Sequence, residues 1–241
     1  MREQQARLSR RGLIVGLAAL TASCAASTPK PAPVARSFTP FVPPPLPPLV
    51  APPALVPALG PALDPQGLIR RPLLYAALDA LKRHRGKVAH EDRVYIVDFQ
   101  AHSSKPRLFR LDLTTGEVKA CRTAHGRGSD PAHTGFAQRF SNVPDSNASS
   151  VGAYLTVGQS WGSKHGPNVL LAELEVWHSR PTNSEVKDRA IIVHAADYCE
   201  PAYLASQGKL GRSFGCFAVS RADLNALRPD MDGGRLLFAG V

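Results

Sequence analysis

The chain has 241 residues, which allows one or two domains. Its formal net charge of +10 is compatible with an anionic partner and equally with a surface charged for solubility. Nucleic acid is excluded as that partner, because no cluster of lysines and arginines is interleaved with aromatic side chains. The four cysteines are too few for a disulfide-rich scaffold.

Residues 1–26 have the pattern of an export signal. Four arginines form a basic region, Gly12 to Leu20 form an apolar core too short to span a bilayer, and small residues follow. Ser9-Arg10-Arg11 resembles a twin-arginine signal, and Cys24 stands where a lipoprotein signal has its acylated cysteine. Lipidation of Cys24 and ordinary cleavage close to it both fit the pattern. We therefore predict an exported protein of the periplasm or cell envelope, whose membrane link would be a lipid anchor at Cys24.

Residues 27–66 are predicted to be a linker. Between Pro29 and Pro65 the chain has 14 of its 22 prolines. Because proline has no backbone donor, this segment should be an extended, semi-rigid spacer. As a continuous polyproline II helix it would reach roughly 100 Å. Such a spacer would let a tethered domain reach a distant polymer, and the carboxylate-rich bacterial cell wall fits both the charge and the compartment.

Residues 67–241 are predicted to form one mostly β domain. Leucines and alanines recur at helical spacing over 71–84, and basic residues follow them, which predicts an amphipathic helix. Apolar runs predict strands, with a hairpin turn at 114–116; these runs are 94–99, 107–113, 117–123, 153–157, 169–176, 189–194 and 235–239. A long polar loop spans 124–150. The capping-box pattern that begins at Ser220 predicts a short helix late in the chain.

Cys216 is the candidate nucleophile. It follows Gly211-Arg212-Ser213-Phe214-Gly215 and precedes an apolar run. Gly215 lets the backbone approach closely, and successive N–H groups there can receive an oxyanion. Ser213 can hydrogen-bond near the thiol or the substrate carbonyl. His194 ends a strand-like run, so it is the candidate base that takes the thiol proton.

Two other kinds of hydrolase site fit the sequence less well. Gly211-x-Ser213-x-Gly215 matches a serine nucleophile elbow, but there the histidine follows the serine in the chain. The last histidine here is His194, ahead of the serine. Zinc sites usually contain close pairs such as His-x-x-x-His or Cys-x-x-Cys, and neither pair occurs. A zinc peptidase is therefore the weaker alternative.

Cys121 and Cys199 are the two cysteines outside the leader and the Cys216 segment. In an oxidising compartment they could form a disulfide. Two reduced thiols fit equally well, and oxidation could instead join Cys199 to Cys216.

The segments around the histidine and the cysteine carry a resemblance to a known family. His194-Ala195-Ala196-Asp197-Tyr198, followed by Gly211 to Cys216, resembles the paired signature of YkuD-type L,D-transpeptidase catalytic domains. The likeness is greater to the murein L,D-transpeptidase catalytic domain-like branch, and it extends over about 90–240. Further similar blocks are 124–130, 138–142 and 149–154.

This chain departs from the better-known L,D-transpeptidases at two positions. Phe214 stands where they have a histidine, and Ala218 stands where they have an arginine. Any oxyanion or substrate role of that arginine must therefore belong to another residue. Arg212 and Arg127 are the candidates by charge and proximity in the sequence.

The resemblance implies a β-sandwich or barrel domain and acyl transfer on peptidoglycan stem peptides. Cys216 would attack the carbonyl before a terminal D-alanine, while His194 serves as base and then as acid. A backbone carbonyl or Asp197 would orient His194. The thioester would pass to a second stem peptide, a protein lysine, a free D-amino acid or water. No metal or organic cofactor is implied.

The implied substrate-facing residues lie in two parts of the chain. Candidates for substrate binding are His125, Arg127, Arg212, Asp197 and Tyr198. An L,D-carboxypeptidase, with water as acceptor, would use the same nucleophile. A wall-binding module without turnover is the alternative outside the enzyme class, and the intact set of His194, Ser213 and Cys216 argues against it.

Overall fold

The computed structural model describes residues 62–174 and 182–241. These residues lie within one compact unit, Val56–Val241. The predicted export signal, Cys24 and the linker as far as residue 61 lie outside the described residues. In the described part of the chain, no helix is long and apolar enough to cross a membrane.

The domain is mostly β, as predicted. Its helices are α1 (Arg71–His84), α2 (Pro201–Gln207) and α3 (Arg221–Leu227). Its strands are β1 (Arg93–Asp98), β2 (Leu108–Asp112), β3 (Val118–Cys121), β4 (His125–Gly126), β5 (Gly152–Gly162), β6 (Gly166–Glu173), β7 (Ile192–Ala195), β8 (Arg212–Ser213), β9 (Phe217–Val219) and β10 (Leu236–Gly240). Eight strands form a mixed sheet in the order β3-β2-β1-β10-β5-β6-β7-β9, and β4 pairs with β8 in a second, small sheet.

The centre of the main sheet is buried on both faces, which explains the continuous apolar run of β1. Val94 and Ile96 pack under the apolar side of α1, whereas Tyr95 and Val97 face the opposite cluster. Side chains alternate between the faces of a strand, so a strand with two covered faces shows no polar alternation. The predicted helix over 71–84 is confirmed, and it covers one face of the sheet.

The second face of the sheet supports the end of the chain that contains Cys216. Its cluster includes Phe217, Leu224 and Leu227, so β9 and α3 pack on the same core. The predicted cap of α3 is present: Ser220 Oγ accepts a hydrogen bond from Asp223 N at 3.1 Å. Because β9 and α3 both follow Cys216 in the chain and are anchored in this core, the backbone immediately after the thiol has a defined position.

Several elements differ from the predicted ones. β5 is longer than the predicted 153–157 because it forms a long hairpin with β6. β7 begins at Ile192 rather than 189, since Ala190 has a left-handed φ of 49° that interrupts the extended chain. The short strands β4, β8 and β9 were not predicted, because two or three residues are too few for a periodic pattern. The helix α2 was not predicted either; it has seven residues, none of them buried, so it shows no apolar side. Residues 175–176 of the predicted strand 169–176 lie outside the described residues.

Candidate active site

Ser213–Cys216 forms a tight turn, which we call the cysteine turn. Ser213 Oγ donates to the carbonyl oxygen of Cys216 at 2.7 Å and accepts from Gly215 N at 3.1 Å. Ser213 is buried. The serine hydroxyl therefore fixes the backbone that presents the thiol, and Gly215 N–H is already bonded.

Gly215 is required by both conformation and space. Its φ of 117° is one that other residues rarely adopt, and a Cβ there would lie 2.8 Å from the carbonyl oxygen of Ala148. We expect Gly215→Ala to lower the free energy of unfolding by on the order of 3 kcal/mol, because strain and overpacking add.

Gly208→Ala is the matched control for Gly215→Ala. Gly208 also has a positive φ, of 68°, but nothing lies within 4 Å of its Cβ position, so we expect a loss of only about 1–2 kcal/mol. Denaturant titration measures both values. Equal losses for the two variants would show that crowding at the cysteine turn is unimportant.

The Cys216 thiol is buried and protonated in the resting state. Only 9% of the residue is exposed, and Sγ donates to the carbonyl oxygen of Ala190 at 3.6 Å. Burial raises the pKa of the thiol, while a hydrogen bond from the Ile192 amide and the positive charges of Arg189 and Lys164 oppose this rise. The thiol therefore needs a base in order to attack.

His194 lies on the strand next to the cysteine turn. β7 and β9 are parallel, with His194 opposite Ala218, two residues beyond Cys216. Nδ1 lies 2.9 Å from the carbonyl oxygen of Ala195; because a carbonyl only accepts, Nδ1 carries the proton and Nε2 is the basic nitrogen. In the described structure the thiol donates to the carbonyl oxygen of Ala190 rather than to His194. Contacts between a nucleophile and its base often tighten only when substrate binds.

His194 is neutral at physiological pH. Burial, assisted by the neighbouring His165 and Lys164, lowers the pKa of His194 to about 4, against the opposing effect of the hydrogen bond to Ala195. The rings of His165 and His194 lie 4.1 Å apart between centroids. A neutral imidazole beside a protonated thiol is the resting state that general-base activation requires.

A cavity of about 400 Å³ opens beside His194. Its lining includes Lys164, His165, Asp197, Tyr198 and Arg221. Asp197 is exposed and forms an ion pair with Arg221, so the carbonyl of Ala195, not Asp197, orients His194. Asp197 and Tyr198 therefore both line the cavity that also contains His194.

His125 is not on a substrate-facing wall. It is only 1% exposed and lies between Arg107 and Asp130. Arg107 Nη2 donates to His125 Nδ1 at 2.8 Å, so Nε2 carries the proton and faces Asp130 Oδ2 at 3.3 Å. Burial and the charge of Arg107 lower the pKa of His125 to about 4. Since β4 pairs with β8, His125 supports the strand that leads into the cysteine turn.

The two arginines suggested by the sequence have different surroundings. Arg127 is exposed, and its guanidinium carbon lies 4.6 Å from the centroid of the Phe214 ring. Arg212 instead donates to the carbonyl oxygens of Asp130 and Pro131. Arg212 is therefore engaged with the 124–150 loop, whereas Arg127 reaches the cysteine turn.

Sequence reasoning did not assign three basic residues to the site: Arg189 and Lys164, whose charges act on the thiol, and His165, which lies against His194. Arg189 donates to the carbonyl oxygens of Ser141, at 2.8 Å, and Ala148, and its Nη2 is 2.9 Å from the Cβ position of Gly215. Lys164 and His165 lie in the turn between β5 and β6. No local motif marks these residues, because they reach the site from turns far upstream of Cys216.

Cys121 and Cys199, the other cysteines within the described residues, are free thiols. Cys121 and Cys199 are not joined, and neither is bonded to Cys216. Burial raises the pKa of Cys199 to about 12 and raises that of Cys121 as well. Protonated, buried thiols react slowly with oxidants. A disulfide between Cys121 and Cys199 in an oxidising compartment stays a prediction. In the described residues, no three His, Cys, Asp or Glu side chains form a group that could hold a metal ion.

Known structures of similar proteins come from several bacteria. They include an L,D-transpeptidase from Mycobacterium smegmatis (14% identity, TM-score 0.37, covering 62% of this chain and 59% of that one). Another is an L,D-transpeptidase from Mycobacterium tuberculosis H37Rv (16% identity, TM-score 0.39, covering 62% of this chain and 58% of that one). A third is an L,D-transpeptidase from Xylanimonas cellulosilytica DSM 15894 (16% identity, TM-score 0.35, covering 63% of this chain and 62% of that one). The matched regions span about three fifths of these solved chains, and similarities this weak carry no argument about function.

The family is shown by a sequence model instead. No curated protein sequence matches the chain at a significant level. The model described as the L,D-transpeptidase catalytic domain matches residues 66–239, which include α1, β1 to β9, all but the last residue of β10, and the cysteine turn. Because this match extends over most of the chain, the chain belongs to the L,D-transpeptidase catalytic domain family.

Proposed function

We propose that this chain is a cysteine acyltransferase that acts on peptidoglycan stem peptides through a thioester on Cys216. The observation that carries the proposal is the pairing of β7 with β9. It sets a neutral histidine with a basic Nε2 on the strand beside the turn that presents the thiol. Family membership supports the same reaction class.

The first half of the proposed reaction forms the thioester. Cys216 Sγ attacks the carbonyl carbon that precedes the terminal D-alanine, and the thiol proton passes to His194 Nε2. The carbonyl oxygen becomes an oxyanion. When the intermediate collapses, the C–N bond breaks, His194 returns the proton to the departing amine, and D-alanine leaves.

The oxyanion needs positive potential near the cysteine turn. Gly215 N–H is bonded to Ser213 Oγ, so it is not the donor that the sequence suggested. The guanidinium of Arg189 lies beside Gly215, half-buried, with its N–H groups directed at backbone carbonyls. A charge held in a partly buried site stabilises a developing anion more than one in water does. Arg189 therefore supplies the positive charge near the oxyanion, which Ala218, at the position of the family's arginine, cannot supply.

The second half of the reaction transfers the acyl group. An amine attacks the thioester carbon, loses a proton to His194, and Cys216 leaves as the thiol. With a second stem peptide as acceptor the product is a cross-link, and with a D-amino acid it is an exchanged tetrapeptide. A protein lysine is the other amine acceptor, and with water the reaction is an L,D-carboxypeptidation.

The leader and the linker support an envelope location for this reaction. Export through residues 1–26 would deliver the chain to the compartment that contains peptidoglycan. The proline-rich segment would then extend the catalytic domain from an anchor at Cys24 or from a free N-terminus.

Mass spectrometry of the purified protein with disaccharide-tetrapeptide tests the proposal. We expect release of D-alanine and a transient adduct whose mass equals the donor minus D-alanine, on the peptide that contains Cys216. The later products distinguish dimer, exchanged tetrapeptide and tripeptide, and therefore identify the acceptor. An adduct on another residue would contradict the proposal. Loss of activity with a chelator, restored by zinc, would favour a zinc peptidase.

A further inference from the structure

Two exposed cations converge on one aromatic ring beside Cys216. The guanidinium carbon of Arg127 lies 4.6 Å from the centroid of the Phe214 ring, and Lys164 Nζ lies 5.3 Å from it. Phe214 is 52% exposed, and only Gly215 separates it from Cys216 in the chain. A cation within about 6 Å of a ring centroid is attracted by the negative face of the ring. The ring therefore holds cations from two distant segments close to the thiol.

These cations lack the partners that other basic residues of the domain have. Among residues 62–174 and 182–241, neither Arg127 nor Lys164 forms an ion pair. Many other arginines do, for example Arg70 with Asp98, Arg110 with Asp230, and Arg235 with Asp92. Two like charges near one ring repel each other, and an anion bound to both would relieve that repulsion. The pair is thus arranged to receive a negative group.

The pair also lies next to the reacting groups. Lys164 lines the 400 Å³ cavity that contains His194. Phe214 borders a second cavity, of about 230 Å³, together with Asp145, Asp188 and Arg189. The two aspartates of that cavity form no ion pair with Arg127 or Lys164 in the described structure, so they leave the cations available.

We propose that Arg127, Phe214 and Lys164 form a carboxylate-binding site beside Cys216, which selects acyl donors that end in a free carboxylate. This inference rests on the proposed function and specifies which feature of the donor the site recognises. The carboxylate belongs to the residue that leaves when the thioester forms. Arg127 offers a planar pair of donors and Lys164 a point charge.

The site accounts for the aromatic residue at position 214. The better-known L,D-transpeptidases have a histidine there, and a protonated imidazole would repel both cations. The face of a phenyl ring attracts them instead and has no charge that would compete for the carboxylate. Phe214 therefore acts by positioning the two cations, while Arg127 and Lys164 contact the donor.

Two donors that differ only at their C-terminus test the inference. One is the tetrapeptide donor with a free carboxylate, and the other is its C-terminal amide. For the wild-type protein we expect kcat/KM to be about tenfold higher for the acid, a value typical of a close charge pair at a protein surface. Raising the salt from 0.1 M to 1 M shortens the screening length from about 10 Å to about 3 Å, and should reduce this preference.

Charge-removing variants assign the preference to residues. Arg127→Gln and Lys164→Gln should each lower kcat/KM for the acid by about tenfold and that for the amide by less than about threefold. The intrinsic reactivity of the two donors is the same for every variant, so the ratio of their rates isolates the carboxylate contact. Lys164→Arg should retain the preference, and Phe214→Leu should reduce it. Lys105→Gln removes one exposed charge before β2 and should leave the ratio unchanged.

Binding to the Cys216→Ala protein separates this inference from the proposed reaction. Calorimetry with the acid and the amide peptides should show the same tenfold preference, lost in the Arg127→Gln and Lys164→Gln backgrounds. If thioester forms equally well from both donors and binding shows no preference, the inference is wrong and the proposed function stands. If binding prefers the acid through these cations but no thioester forms, the carboxylate site stands and the proposed function is wrong.

Discussion

Replacing Cys216 with alanine is expected to abolish the release of D-alanine from tetrapeptide donors, a loss of about 10⁴-fold or more. The variant has no atom that can form the thioester, and the mass of the acyl adduct should disappear. Because the Cys216 side chain contributes only a long hydrogen bond to Ala190, at 3.6 Å, and one from the Ile192 amide, the fold should persist. Circular dichroism and a denaturant midpoint close to that of the wild type would confirm this.

Two further cysteine variants sharpen this result. Cys216→Ser keeps the shape of the side chain, but a buried hydroxyl is a far weaker nucleophile than a thiol, so we expect a loss of at least about 10²-fold. Cys121→Ala removes a half-buried thiol on β3 and should leave the rate within about twofold. Substantial D-alanine release by Cys216→Ala, or loss of the adduct in Cys121→Ala, would contradict the assignment of the nucleophile.

Replacing His194 with glutamine is expected to lower kcat/KM for thioester formation by about 10²–10⁴-fold, the usual contribution of a general base. Glutamine can still donate to the carbonyl of Ala195 but cannot accept the thiol proton. The burial that raises the pKa of Cys216 then works against the variant, because little thiolate forms without a base. His90→Gln, on the exposed loop before β1, is the matched control and should retain full activity.

The pH profile distinguishes loss of a base from loss of structure. The wild-type rate should fall as the pH drops through about 4, where His194 becomes protonated, and should be nearly level at neutral pH. In His194→Gln the residual rate should instead rise about tenfold per pH unit, because it follows the thiolate fraction below the raised thiol pKa. A wild-type acid limb near the ordinary histidine pKa of about 6.5, or an unchanged profile in the variant, would contradict the proposed role.

Local sequence patterns predict the elements whose burial depends on neighbouring residues. The helix over 71–84 follows from apolar residues at helical spacing, and α3 follows from the capping pattern of Ser220. Such patterns record which side of an element is buried, so they predict its type well and its ends less well. Short strands such as β4 and β8 show no local sequence pattern, since their pairing depends on contacts between segments far apart in the chain.

The proposed catalytic pair also comes from the sequence, from chain order and from the two signature segments that contain His194 and Cys216. Its surroundings do not. A histidine followed by glycine and arginine does not reveal that Arg107 lies beneath it, so only the tertiary structure shows His125 to be buried. The same holds for Arg189 and Lys164, which reach the thiol from separate turns. Sheet register and loop closure determine these contacts, and neither is encoded in the spacing of residues along the chain. The sequence alone therefore supports the nucleophile and its base, whereas the charges that assist them follow from the fold.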